Sequence, residues 1–315
     1  MPPCVARYIE KRAIEIVRYV PGNPKYVAAV ESKLTCSDPG THVDFPMKKI
    51  SARLRDIDAF IRHQRERKRV VVLFNTGSYC PPHAGHAELF SKARTEFEAA
   101  NKGAYVVGGY AVPSGSQYVD RKMRDKGITS ISGFHRLGMT KTITDNHPSI
   151  DFFVEASQFE VARSGFCDFD AVGAALRAYL FANKGVFDVV IGQEYTLEVW
   201  YVCGSDHVMN TRIAPRGPYI TAGGQVWADG IVAVSREGVK PSERLSERYQ
   251  NNESFLIVTT GATSVSSTEV RERLLKGQST RGLLPLPVVD YIDHYGITVQ
   301  PLSAAESPSA AAAGK

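Results

Sequence analysis

No CxxC pair occurs in this chain of 315 residues, and its five cysteines (Cys4, Cys36, Cys80, Cys167 and Cys203) are widely spaced and leave one over from any complete pairing. A reducing compartment is the simpler reading. Long apolar runs are lacking too: none approaches the roughly 20 residues that a bilayer-crossing helix needs. The start, MPPCVARYIEKRAIEIV, has no uninterrupted apolar core of a signal peptide, and Glu10 and Glu15 do not suit a transit peptide. The expected location is therefore the cytosol or the nucleus, with no membrane partner. Nor is there a strong excess of one charge, since 38 Lys and Arg stand against 33 Asp and Glu, a net +5. That balance gives no argument for a nucleic-acid partner and is compatible with an anionic small molecule. It leaves the oligomeric state open, a homo-oligomer included.

What is present is a chain long enough for a sizeable core, with 43% hydrophobic residues. Residues 1–69 read as a helical extension of two patterns separated by a loop, Ser37 to Pro46. In the second pattern Ile50, Leu54, Ile57, Phe60 and Ile61 share one face. The basic run Arg65 to Arg69 reads as cations complementing a helix C-terminus, with a nuclear-import patch as the rival. From Val70 the pattern becomes strands (70–74, 104–110, 152–156, 199–203, 231–235 and 255–259) alternating with helices. The expected fold is α/β, a Rossmann-like doubly wound and mostly parallel sheet, with ligands at the carboxyl ends of its strands. This main domain is assigned to 70–298. Residues 299–315, ending SAAESPSAAAAGK, read as a disordered tail.

Two segments carry chemistry. In VVVLFNTGSYCPPHAGHAELF a buried strand, a glycine-containing loop and a helix follow one another directly. Gly77 lets a phosphate approach the backbone, and the helix start offers unpaired N–H groups and partial positive charge. A helix beginning near Ala84 places His83 and His86, with Gly85 between them, at its N-terminal end facing the same anion. Metal ligation by this pair is the weaker reading, because no Cys or carboxylate stands at ligand spacing nearby. In TSVSSTEVRERLL, Ser266 and Glu269 form a capping box at a helix start. Ser267, Thr268 and Arg271 then bring two hydroxyls and a guanidinium to that end, which suits a triphosphate tail.

GSYCPPHAGH resembles the GSFNPPHxGH signature of nicotinamide/nicotinate mononucleotide adenylyltransferases, nucleotidyltransferases marked by an [HT]xGH motif. VSSTEVR is similar to their ISSTxxR motif, and GQSTRGLLPLPVVDYIDHYGI to their C-terminal pattern. Weaker matches fall between in the same order: YVVGGYAVPSG, FHRLGM, YVCGSD and IVAVSREG. The resemblance implies transfer of an adenylyl group from ATP, with Mg²⁺, to the phosphate of a pyridine mononucleotide, releasing pyrophosphate. It implies that Gly77 and Ser78 contact substrate phosphates, that His83 and His86 hold ATP, and that Gly204 and Asp206 face the ribose. It assigns Ser267, Thr268 and Arg271 to the triphosphate, and no protein-held metal.

Two departures from the family carry weight. Gly108 stands where animal-type members carry Lys, and Ser157 and Gln158 where a Trp-Glu pair is usual, so the resemblance specifies the chemistry better than the acceptor. Phe159, Tyr219 and Trp227 are the aromatic substitutes available to a pyridine ring. Rival readings are a nucleotidyltransferase with another phosphorylated acceptor and a non-catalytic nucleotide-binding or chaperone relative. The intact His83, His86 and Arg271 argue against the second.

Overall fold

The computed structural model describes residues 45–62 and 68–303, apart from 164, 193, 212, 214–216, 239–246, 248 and 250–251. The first helical pattern, Arg65 to Arg67 and residues 304–315 lie outside the described residues, as do the side chains of Phe60 and Ile61.

Helix α1 (Lys48–Arg62) precedes β1 (Lys68–Gly77), α2 (Ala84–Ala100) and β2 (Ala104–Pro113). After α3 (Ser116–Arg124), α4 (Gly133–Asn146) and the short β3 (Val154–Ala156) come α5 (Phe169–Ala182) and α6 (Gly185–Ile191). Strand β4 (Tyr195–Gly204), helix α7 (Ser205–Asn210) and a small hairpin of β5 (Tyr219–Ile220) and β6 (Val226–Ala228) lead into β7 (Gly230–Arg236). The chain closes with β8 (Phe255–Ala262), α8 (Ser267–Leu275) and α9 (Leu286–Tyr295).

Six strands form one sheet in the order β3-β2-β1-β4-β7-β8, every neighbouring pair parallel. Such a sheet is buried on both faces, so its central strand reads as a continuous apolar run. Strand β1 shows the two-residue period: Val70, Val72 and Phe74 join one core, while Val71 and Leu73 join the other. The first core lies under α1, α5 and α6, the second under α2, α4, α8 and α9. The expected fold is what forms; the β5/β6 hairpin is the addition that periodicity did not announce.

Strand order reverses between β1 and β4. The chain runs outward from β1 to β3 and returns beside β1, opening a crevice at the carboxyl ends of β1 and β4, the ligand position in open α/β sheets.

Two details differ from the sequence reading, and a third agrees with it. Lys68 and Arg69 belong to β1 rather than to a helix end, and the Arg69 guanidinium grips Glu198 of β4 through Nε and Nη2, both at 2.8 Å. Packing continues past Thr298, because Val299 is buried and Thr129 N–H donates to the Gln300 carbonyl. The α1 face formed by Ile50, Leu54 and Ile57 is buried in the same core as β1 and β2. Among the described residues no helix is long and apolar enough to cross a membrane.

Candidate active site

Gly77 ends β1 and Gly204 ends β4, so the two glycine-containing turns flank the crevice from neighbouring strands. Between Gly77 and α2 the chain makes a tight loop in which Tyr79 adopts φ 46°, a left-handed conformation costly for a side chain of its size. Its ring is buried, and its hydroxyl donates to Asn75 Oδ1 at 2.5 Å. Asn75 Nδ2 in turn donates to the Val202 carbonyl of β4 at 2.7 Å. This chain of bonds fixes the Tyr79 ring, which stacks on the His86 imidazole with centroids 4.4 Å apart.

His83 occupies the N-cap of α2 and His86 its third residue, with ring centroids 4.0 Å apart. The His83 backbone N–H donates to His86 Nδ1 at 3.1 Å. With Nδ1 acting as acceptor, the proton of the neutral ring resides on Nε2, a donor independent of the cap. Both rings are held neutral. Burial, the neighbouring His86 and the Arg236 guanidinium lower His83 to about 2, while burial and Arg236 bring His86 down to about 4 against the backbone bond. Gly85 packs close to the His83 ring, for a methyl there would press on that imidazole at 3.0 Å and on Thr263 at 3.4 Å.

Helix α8 closes the site from β8. Ser266 caps it by accepting the Glu269 N–H at 3.2 Å, as the sequence indicates. Ser267 Oγ donates to the Pro81 carbonyl at 2.9 Å. Arg271 is buried, with Nη1 on the Cys80 carbonyl at 2.7 Å and Nη2 on Thr268 Oγ1 at 2.9 Å. The two motifs, about 190 positions apart in the chain, are thus bonded to one another. Asp206 at the start of α7 pairs with Arg236 at 3.4 Å, which connects Gly204 and Asp206 to the cation that depresses both histidines.

Three site neighbours escaped the sequence reading. Lys122 on α3 reaches Ser78 Oγ at 3.0 Å. Arg136, wholly buried, donates through Nη1 to the Ser78 carbonyl at 3.0 Å and the Ser114 carbonyl at 2.6 Å, joining the loops that follow β1 and β2. It lies within FHRLGM, which matched the family without suggesting what the arginine does. Glu160 is buried, and that burial pushes its carboxyl up to about 8 although Arg136 opposes the shift.

The acceptor side needs correction. Phe159, Tyr219 and Trp227 all belong to the core and are at most 4% exposed, so none presents an open face. Phe159 is stacked on Phe45 and covered by Arg163, and Trp227 packs among Phe74, Phe169 and Tyr201. Ser157 is buried and uses its hydroxyl to accept the Phe159 N–H. The exposed aromatics here are Tyr118 and Phe166, 36% and 56% accessible, with ring centroids 5.1 Å apart and Lys122 Nζ 5.6 Å from the Tyr118 ring. Gly108 is explained by α1, since a methyl there would overlap Ile50 Cγ1 and Cδ1. Among the described residues no group of three or more His, Cys, Asp or Glu side chains is placed to hold a metal ion.

No family model matches the chain. Among curated proteins, it is 29% identical over 243 residues to the nicotinamide/nicotinic acid mononucleotide adenylyltransferase of Arabidopsis thaliana, covering 72% of this chain and 89% of that protein. The protein of the same name from Oryza sativa subsp. japonica is 27% identical over 237 residues, covering 73% and 86%. A solved structure of the Plasmodium falciparum nicotinic acid mononucleotide adenylyltransferase complexed with APC overlaps with TM-score 0.47 at 15% identity, covering 72% of this chain and 96% of that one. Over more than 70% of its length, the chain carrying the motifs bonded across the crevice is thus similar to nicotinamide/nicotinic acid mononucleotide adenylyltransferases of two plants.

Proposed function

We propose that this protein transfers the adenylyl group of ATP to the 5′-phosphate of a pyridine mononucleotide, nicotinamide or nicotinate, giving a dinucleotide and pyrophosphate. The observation that carries this reading is the pair of neutral imidazoles at the N-terminus of α2, opposite an arginine that ties α8 to the same loop. Transfer at phosphorus requires positioning and charge stabilisation more than covalent help.

An oxygen of the acceptor phosphate attacks the α-phosphorus, the bond from that phosphorus to the bridging α,β-oxygen breaks, and pyrophosphate leaves. His86 Nε2–H donates to a phosphoryl oxygen, and His83 faces the same anion. Free N–H groups of the α2 start and the Gly77–Ser78 turn receive the substrate phosphates. Ser267, Thr268 and Arg271 hold the β- and γ-phosphates from the start of α8, while Lys122 adds positive charge beside Ser78. Gly204 and Asp206 face the ribose. Mg²⁺ would enter with ATP as the ion of the co-substrate and would neutralise charge on the triphosphate. Tyr118 and Phe166 are the aromatic surfaces free to meet the pyridine ring.

The test is pyrophosphate release from ATP with nicotinamide mononucleotide, nicotinate mononucleotide, phosphopantetheine, phosphocholine and ribose 5-phosphate. Release with either pyridine nucleotide supports the proposal. Release with another acceptor and neither of these would leave the chemistry and remove the named substrate.

A further inference from the structure

Residues 45–50 precede the first motif segment, which begins at Val70, yet they pack on the segment that follows β3. Phe45 stacks on Phe159 with centroids 5.0 Å apart and an interplanar angle of 17°, and meets Tyr110 of β2 edge-on at 5.3 Å. The Tyr110 hydroxyl donates to the Pro46 carbonyl at 2.6 Å. Lys49 Nζ donates to the carbonyls of Thr144 and Val154, both at 2.7 Å, and pairs with Asp145 at 3.0 Å. One lysine thereby holds the end of α4 and the start of β3 together. Ile50 fills the space above Gly108.

These contacts continue to the phosphate loop. The Glu160 carbonyl, next to Phe159, packs against Gly115, where an added methyl would meet it at 3.2 Å. Gly115 is the N-cap of α3, the helix of Tyr118 and Lys122. Beside it, the Ser114 carbonyl shares the Arg136 guanidinium with the Ser78 carbonyl. Phe45 is buried and so are Phe159, Glu160 and Arg136, which leaves little slack along the path.

We propose that the N-terminal segment, through Phe45 as a positioning residue, sets the acceptor half of the site: it holds the 157–163 segment against Gly115 so that α3 presents Tyr118 and Lys122 to the acceptor. The proposal rests on the reading of the crevice as an adenylyltransferase site with its acceptor on the β2–β3 side. Among the described residues the ring contacts of Phe45 are with Tyr110, Phe159 and Tyr179, none of them on α2 or α8, the elements of the ATP half. Gly108 then marks the place where Ile50 seats the segment.

Steady-state kinetics of Phe45→Ala in the full chain provide the test. The expected result is an acceptor KM raised about tenfold, the scale of losing one buried aromatic pair, with ATP KM and kcat changed less than twofold. Phe45→Leu, which keeps most of the apolar volume, should recover most of the acceptor KM. A wild-type acceptor KM in Phe45→Ala overturns the proposal, and so does an equal rise in both KM values, the mark of general loosening. A second measurement needs no variant: in the wild-type protein, saturating nicotinamide mononucleotide should slow amide exchange in residues 45–49 as well as 157–163. Protection of 157–163 with no change at 45–49 refutes the coupling, and this decides the matter if Phe45→Ala does not fold. If the wild type uses no pyridine nucleotide but another acceptor, the functional reading has failed; the same KM split and exchange comparison with that acceptor then judges the role of Phe45.

Discussion

Replacing His86 separates two jobs that one side chain performs. Its Nδ1 accepts the His83 N–H at 3.1 Å and so caps α2, while Nε2–H is the donor assigned to the reacting phosphates. Asparagine places an oxygen close to the position of Nδ1 and nothing at Nε2. His86→Asn should therefore keep the cap and lose the donor, whereas His86→Ala loses both. Losing one transition-state donor costs about 10²–10³ in kcat. Losing a cap costs roughly 0.5–2 kcal/mol, which at about 2–4 °C per kcal/mol for a domain of this size lowers Tm by about 1–8 °C. Both variants should show the kcat loss in pyrophosphate release, and only the alanine variant should show the drop in Tm by differential scanning fluorimetry. Wild-type kcat in a folded His86→Asn protein would refute the donor role; equal Tm values for the two variants would refute the cap.

Arg271→Lys should raise the ATP KM about tenfold or more, because one ammonium cannot serve both the Cys80 carbonyl and Thr268 and still meet phosphate; unchanged ATP kinetics would reduce Arg271 to a helix-surface residue. Gly108→Ala should cost about 1–3 kcal/mol by overpacking against Ile50, and a double-mutant cycle with Ile50→Ala should show that the methyl is tolerated once the isoleucine is gone. Acid should weaken the fold early. The unfolded chain takes up protons near pH 6.5, while His86 resists to about 4 and His83 to about 2, so their stability contribution is complete above pH 6.5 and is lost as pH falls toward those values. The slope approaches about 1.4 kcal/mol per pH unit for each histidine. Urea midpoints between pH 7 and 5 check it, and His86→Asn should flatten the curve.

What was legible in the sequence was local. The β1 strand, its loop and α2 follow one another in the chain, so Gly77, His83 and His86 could be read together, and the Ser266 cap announced α8 in the same way. Pairings between distant segments were not legible, because each partner looks ordinary alone. Nothing about Ile50 on an amphipathic helix or Gly108 in a strand says that one fills the space above the other. Arg136 lies in the FHRLGM match, yet nothing in that segment says that its side chain is wholly buried between two loops. The aromatic candidates for the acceptor failed for the same reason: burial takes Phe159, Tyr219 and Trp227 into the core and leaves Tyr118 and Phe166 accessible.

The central claim is attack at the α-phosphorus of ATP by a pyridine mononucleotide, and isotopic labelling tests it most directly. ATP labelled at the α-phosphorus is incubated with the enzyme and nicotinamide or nicotinate mononucleotide, and the products are separated by mass. The account predicts that the label appears in a dinucleotide while unlabelled pyrophosphate accumulates in equal amount, both slowed about 10²–10³-fold by His86→Asn. Label recovered only as AMP, or ADP formed by transfer of the γ-phosphoryl group, would contradict it.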